Sequence, residues 1–209
     1  HPRPAIKKYS GSRMDLRLDS ATNERLQAFA AAEKIAPETV LLSAFSVFIH
    51  RLSGLEDVVI GVESESLYLD ESVPAIANTR DMLPLRTGYK AKQSFREYIH
   101  VQNEALAKAN LHRNLSLAEL IQRLQLPRDQ SRSAIFTAAF RSQRDESALV
   151  FDGLQSDLII PPSSGARYDI ELLAQIQGNN ISLICDYSTE LFEAETIARW
   201  LKGRLALLD

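Results

Sequence analysis

A chain of 209 residues, 45% hydrophobic and 24% charged, can build one domain with a real core or two small lobes, and is too apolar to remain disordered. Its 24 basic and 27 acidic side chains are interspersed and sum to -3, which excludes the electrostatic footprint of a nucleic-acid or polyanion binder. The single cysteine, Cys185, excludes an internal disulfide and a multi-thiolate metal site, and no apolar run approaches the roughly 18 residues of a membrane span.

Beyond the polar lead His1-Pro2-Arg3-Pro4, the segment Arg13 to Leu18 alternates polar and apolar residues and predicts a half-buried strand. Asp19 and Ser20 can cap the helix that follows, in which Leu26, Phe29 and Ala30 form an apolar stripe with charge on the other side. Pro37 and Gly54 bracket a second helix whose interior, from Val40 to Leu52, leaves almost no polar face and predicts packing on nearly all sides. Val58 to Val62 then reads as a fully buried strand, and Glu63 to Thr79 as a loop.

Met82 to Arg86 is strand-like, but Pro84 cannot donate a ladder hydrogen bond, so the strand belongs at an edge, an end or a bulge. Ser94 caps a long helix through Phe95, Tyr98, Val101, Leu106 and Ala109. A shorter helix around Leu117 to Leu124 follows, ended by Pro127. The last third reads as strands at residues 134–140, 148–151, 158–160, 169–176 and 181–187, with Gly178-Asn179-Asn180 as a tight turn and a closing helix from about Ala194 to Leu208. This mixture, without repeats or low-complexity tracts, implies an α/β layer structure.

Candidate chemistry is sparse. The histidines are His1, His50, His100 and His112, none adjacent to another and none at the helical spacing of a zinc site. His50 lies on the apolar helix and is expected to be a packed, hydrogen-bonded side chain. Cys185 sits in an alternating apolar strand, where free cysteine behaves as a small hydrophobe. No phosphate-cradling glycine loop, dinucleotide fingerprint, nucleophile elbow or metal-spaced acidic cluster is present. Ser131 has no identifiable base. Arg128 and Arg132 flank Asp129 just before a strand, where guanidinium groups tie loops to carbonyls or carboxylates.

Two segments carry a resemblance. Arg128-Asp129-Gln130-Ser131-Arg132 resembles the R-D-x-S-R element of nonribosomal peptide synthetase condensation domains, and His50 to Gly61 resembles the same family's H-R-x-S-G-x-x-D-V-V-I-G block. In the family's order, His112 to Leu117 is similar to H-Q-D-x-P-F, Tyr168-Asp169-Ile170 to F-D-L, Asp186 to Phe192 to Y-x-x-x-L-F, and Thr196 to Arg199 to T-I-x-R. Ile76 to Met82 departs from the family's I-G-x-F-V-N-T. The catalytic H-H-x-x-x-D-G is absent.

The resemblance implies an α/β chloramphenicol-acetyltransferase-like lobe, a mixed sheet flanked by helices. It implies that residues 1–209 are the carboxy-terminal lobe of a condensation or condensation-like domain, an excised fragment with the amino-terminal lobe absent. Such a lobe forms one wall of the acyl-transfer tunnel and part of the carrier-protein docking surface, without catalysing alone. Its implied partners are a peptidyl carrier protein, the missing lobe and an adjacent adenylation domain, with neither nucleic acid nor membrane, in the cytoplasm. No cofactor or metal is expected to bind directly, since the phosphopantetheine arm arrives on the carrier protein. Arg128, Asp129, Ser131 and Arg132 are expected to be architectural, and Asp81, His112, Tyr168 and Asp169 to lie on the tunnel side. Arg144 to Gly165 would cross to the other lobe, and Glu63 to Thr79 would lie near the tunnel floor. The alternative reading is a noncatalytic condensation-like module that recruits a carrier protein or tailoring partner. A standalone acyltransferase is disfavoured by the missing histidine motif.

Overall fold

Strands of alternating polarity gather into one sheet because each has a single apolar face to bury. The computed structural model describes residues 1–65, 80–90, 92–144, 165–178 and 180–205. The elements are β1 (Gly11–Arg17), α1 (Ser20–Glu33), α2 (Pro37–Ser53), β2 (Asp57–Glu65), β3 (Arg80–Gly88), α3 (Phe95–Asn110), α4 (Leu117–Leu124), β4 (Ala138–Arg144), β5 (Ile170–Gln177), β6 (Asn180–Ser188) and α5 (Ala194–Leu205). The six strands lie in the order β1-β6-β5-β4-β2-β3. The central three, β2, β4 and β5, run parallel, and the remaining pairs are antiparallel. The expected mixed sheet flanked by helices is therefore the observed one.

Helix ends follow local chemistry. The Asp19 carboxylate accepts from the Thr22 amide at 2.8 Å, satisfying one of the orphan donors at the start of α1. Ser94 and Glu97 form a reciprocal capping box on α3, and Ser116 caps α4. Pro37 opens α2, and Gly54 closes it in the left-handed region at φ 70°. Within α2, Ser43 and Ser46 are buried because each hydroxyl donates to the carbonyl four residues earlier, at 2.7 and 2.8 Å.

One face of the sheet carries the main core. Ile60 and Val62 of β2, Ala138 and Phe140 of β4, Leu172 and Ala174 of β5 and Cys185 of β6 meet Leu26 of α1, Leu42 and Phe45 of α2, Ile99 of α3 and Ile197 of α5. Phe45 packs on Phe140 with centroids 6.2 Å apart, and Phe48 meets the Trp200 ring edge-on at 5.5 Å. Burial pushes the Cys185 thiol up to about 12, so it is an inert core side chain as expected. His50 is buried too, with Nδ1 donating to the Leu55 carbonyl at 2.8 Å and Nε2 2.9 Å from the Thr87 hydroxyl. Among the described residues no single helix is long and apolar enough to cross a membrane.

Several boundaries differ from expectation. β2 continues through Glu65, so Glu63 to Glu65 are strand rather than loop, held by pairing with Arg80 to Met82 of β3. Val58 and Val59 are only half-buried, Val58 packing against the main core and Val59 against the smaller cluster of Met82, Phe136, Ala139 and Tyr168 on the opposite face. The strand expected from Ala134 begins at Ala138 and extends to Arg144. Residues 134–137 instead lead Phe136 inward against Gly61, where an added Cβ would lie 2.1 Å from the ring. α4 ends at Leu124 with Gln125 in the left-handed region, before Pro127 is reached. The strands expected at 148–151 and 158–160, the body of the 144–165 crossing segment, residues 66–79 and the end of the closing helix beyond 205 lie outside the described residues.

Candidate functional site: a charged row and pocket on the second sheet face

Because side chains alternate along a strand, the neighbours of the core residues point the other way. Glu63 of β2, Arg141 of β4, Glu171 of β5, Asp186 of β6 and Arg13 of β1 thus share the second face, forming a row of ionisable side chains across five strands. Arg141 Nε donates to Glu63 Oε1 at 2.8 Å and lies 3.6 Å from Glu171 Oε1. Glu171 is in register with Asp186, which Arg13 grips through two hydrogen bonds of 2.7 and 2.8 Å. That grip holds the Arg13 guanidinium above its usual value. Burial pushes the Glu171 carboxyl above the usual range, and Asp186 and Glu63 add to the shift against Arg141 and Arg167.

At the β2–β4–β5 end this row opens into a cavity of about 360 Å³ lined by Glu63, Asp81, Met82, Arg141, Arg167, Tyr168 and Glu171. Its floor is a second, smaller apolar cluster of Met82, Phe136, Ala139 and Tyr168, with Leu117 of α4 packed beside it. Tyr168 stacks obliquely on Phe136 at 5.3 Å and lies under the Arg167 guanidinium at 5.5 Å. The Tyr168 hydroxyl is buried without a hydrogen-bond partner among the described residues, and burial raises its pKa. Asp81 ties the start of β3 to α4, its two oxygens accepting from the Met82 and Leu117 amides at 2.8 and 3.0 Å.

Of the residues expected on the tunnel side, Asp81 and Tyr168 meet in this cavity. Asp169 turns to Arg3, which donates from Nη1 at 3.0 Å and from Nη2 to the other carboxylate oxygen. The same Nη1 also reaches the Ser131 carbonyl at 3.1 Å. His112 lies exposed in the turn after α3, outside the cavity lining.

The R-D-x-S-R segment forms its own turn. The Ser131 amide and hydroxyl donate to Asp129 Oδ1 at 2.9 and 2.6 Å, and Arg132 Nε donates to Oδ2 at 2.7 Å. These bonds, led by those from Ser131, hold the Asp129 carboxyl below its usual value. Arg128 is exposed. The lead straps the turn to the sheet: the Lys7 amide donates to the Gln130 carbonyl at 3.0 Å and its ammonium to the Arg167 carbonyl at 2.6 Å.

Sequence reasoning missed Glu63, Arg141, Arg167 and Glu171. The available signal was charge in the off-core register of apolar strands, as in Ala138-Ala139-Phe140-Arg141 and Ile170-Glu171-Leu172. Among the described residues no group of three metal-ligating side chains gathers.

Comparison with known proteins agrees with this architecture. The sequence profile described as Condensation domain matches residues 1–209, and the chain belongs to that family. A plipastatin synthase of Bacillus subtilis (strain 168) is 30% identical over 96% of this chain, which corresponds to 6% of that synthase. Surfactin synthase subunit 1 of the same organism is 28% identical over 100% of this chain and 6% of its own length. Among solved structures, a holo four-domain nonribosomal peptide synthetase bound to AMP and glycine superposes with a TM-score of 0.87 at 20% identity, covering all of this chain and 17% of that one. The condensation domain from Monacolin K polyketide synthase MokA gives 0.85 at 19% identity, over 100% of this chain and 48% of that one. The X-domain from teicoplanin biosynthesis, in its complex with OxyB, gives 0.84 at 21% identity, over 100% and 47%. The chain thus spans a small part of the synthases and about half of the solved single domains.

Proposed function

We propose that this chain is the carboxy-terminal lobe of a condensation domain in nonribosomal peptide synthesis. In that reading it forms one wall of the tunnel where an acceptor amine attacks a donor thioester, and part of the surface on which peptidyl carrier proteins dock. The observation that carries the reading is coverage: the whole chain matches the fold while filling 48% of the MokA condensation domain. The lobe holds none of the H-H-x-x-x-D-G residues, so it supplies no general base of its own. Amide formation then needs the amino-terminal lobe to bring base and reactants together. The phosphopantetheine arm comes with the carrier, an adenylation domain is the natural neighbour, and the setting is cytoplasmic.

The test is reconstitution. This chain is paired with an amino-terminal lobe bearing the histidine motif and given donor-acyl and acceptor-aminoacyl carrier proteins. Amide product is expected from the pair and none from this chain alone. Heat-sensitive turnover by this chain alone would remove the half-enzyme reading.

The likeness to the X-domain favours a second reading, a noncatalytic module that recruits a carrier protein or tailoring partner. It predicts that the reconstituted pair binds such a partner and forms no amide even with an intact histidine motif.

A further inference from the structure

We infer that Arg3 to Ser10 are a strap that holds Tyr168 in the cavity wall, so that lifting the lead from the sheet lets the Tyr168 ring leave that wall. Arg3 and Lys7 are then positioning residues, acting on the cavity through the segment that carries Tyr168. The inference rests on the proposed lobe function only for what pulls the strap. In that reading the chain ahead of Arg3 comes from the amino-terminal lobe, and displacement of one lobe from the other is felt at Tyr168.

The lead runs antiparallel to residues 165–169 and meets them in turn. Ser10 bridges Gly165, the Tyr9 carbonyl accepts from the Ala166 amide at 2.9 Å, and the Lys7 ammonium donates to the Arg167 carbonyl at 2.6 Å. Arg3 grips the Asp169 carboxylate through both terminal nitrogens. These contacts reach every member of the run but Tyr168, whose ring is turned to Phe136 and the cavity. Arg3 and Lys7 also reach the R-D-x-S-R turn, at the carbonyls of Ser131 and Gln130.

The span has fixed ends. Asp169 is tied into the sheet, its amide donating to the Thr137 carbonyl at 2.8 Å and its carbonyl accepting from the Ser188 amide at 2.9 Å, so Arg3 pins the lead to a firm point. At the other end the lead becomes β1. Between them the large apolar side chains, Ile6 and Tyr9, stand exposed, which leaves polar bonds to hold the lead down. Burial pushes the Lys7 ammonium below its usual value, which weakens its own grip. A segment held by a few hydrogen bonds opens at much lower free energy than the core, so the strap can lift while the sheet stays folded. Residues 165–167 then lose these partners. Tyr168, whose hydroxyl has no hydrogen-bond partner among the described residues, is left with its packing in the small cluster around Phe136.

The test is native-state amide hydrogen exchange on the 209-residue chain, joined to NMR of labelled tyrosine rings, with Tyr168 identified by its missing signal in Tyr168→Phe. In the unaltered chain the Lys7 and Ala166 amides should exchange through one shared opening, with the same free energy and urea dependence, ahead of the amides of β5 and β6. Arg3→Met removes the pin, so both amides should exchange about tenfold faster. The Tyr168 ring should also become accessible to a soluble paramagnetic probe, while the fully buried Tyr98 stays as it was. Arg3→Lys, which keeps a cation beside Asp169, should restore part of the protection. Separate openings at Lys7 and Ala166, acceleration spread evenly over the chain, or an unchanged Tyr168 ring in Arg3→Met overturns the strap. The first measurement needs no substitution, so the test survives a variant that fails to fold. None of those results bears on amide formation by the two-lobe pair, on which the lobe reading is judged separately.

Discussion

The two faces of the sheet solve opposite problems with the same strands. On the first, alternate residues of β2, β4, β5 and β6 are apolar and disappear beneath α1, α2, α3 and α5. On the second, the intervening residues are Glu63, Arg141, Glu171, Asp186 and Arg13, paired with one another at half-buried positions. Hydrophobic burial on the first face stabilises in proportion to area and is indifferent to direction. Ion pairs on the second are weakly stabilising at best, because desolvation offsets much of the attraction, but they fix geometry. The difference teaches that stability and site-building are separated across the thickness of one sheet.

The sharpest way to break that separation is through the first face. Phe45→Ala, which removes a ring packed on Phe140 and Phe48, is expected to lose about 3–5 kcal/mol in urea unfolding. A loss comparable to that of a surface substitution would show that the helix layer is not the main source of stability. Next comes Gly61, at the seam: its own Cβ would meet the Phe136 ring at 2.1–2.6 Å, so Gly61→Ala should cost about 1–3 kcal/mol. Adding Phe136→Leu should recover part of that loss in a double-mutant cycle; strict additivity would mean the contact does not matter.

On the second face, Arg13→Met leaves the Asp186 carboxylate without its cation at about one-fifth exposure, and we expect a loss of roughly 1–2 kcal/mol. Asp186→Asn in the same chain should relieve it, and high salt should shrink it. A smaller effect concerns Glu171, whose carboxyl keeps its proton to higher pH folded than unfolded. In that window the folded state binds more protons, so the contribution is fully present below the unfolded carboxylate range and is lost as pH rises through the folded value. Glu171→Gln should remove this fall, and parallel stability-versus-pH curves for the two proteins would contradict the assigned burial. Smallest of all, Arg86→Ala breaks the exposed pair with Asp57 at the β3 edge and should leave the melting temperature unchanged.

Local rules are enough for much of the fold. Asp19, Ser94, Pro37 and Gly54 mark helix ends correctly because caps depend on a few neighbouring residues. Pro84 marks an edge strand, since β3 is one edge of the sheet. The start of β4 is not legible because Phe136 is as apolar as a strand residue, and only its packing on Gly61 and Tyr168 distinguishes it. The candidate site is half legible. Tyr168 comes from motif likeness and Asp81 from a segment that departs from the family's motif, while Glu63, Arg141 and Glu171 are brought together by strand order, which no local pattern encodes. Arg3 carries no signal within the polar lead, yet it is the cation that binds Asp169 and the Ser131 carbonyl.

The pairing of β1 with β6 also sets a clock. Gly11 pairs with Ser188 and Arg17 with Ser182, so the sixth strand is made long after the first. At ~5–20 residues per second of synthesis, β1 waits on the order of ten to thirty seconds for the strand it pairs with among the described residues. Meanwhile α1 and α2, whose contacts are close in sequence, can dock first, and the loop that β1 must close makes its addition late. Until β6 is made, β1 is a strand without that partner, and nascent chains stalled between those two moments are where this protein is most exposed to mispairing with its neighbours.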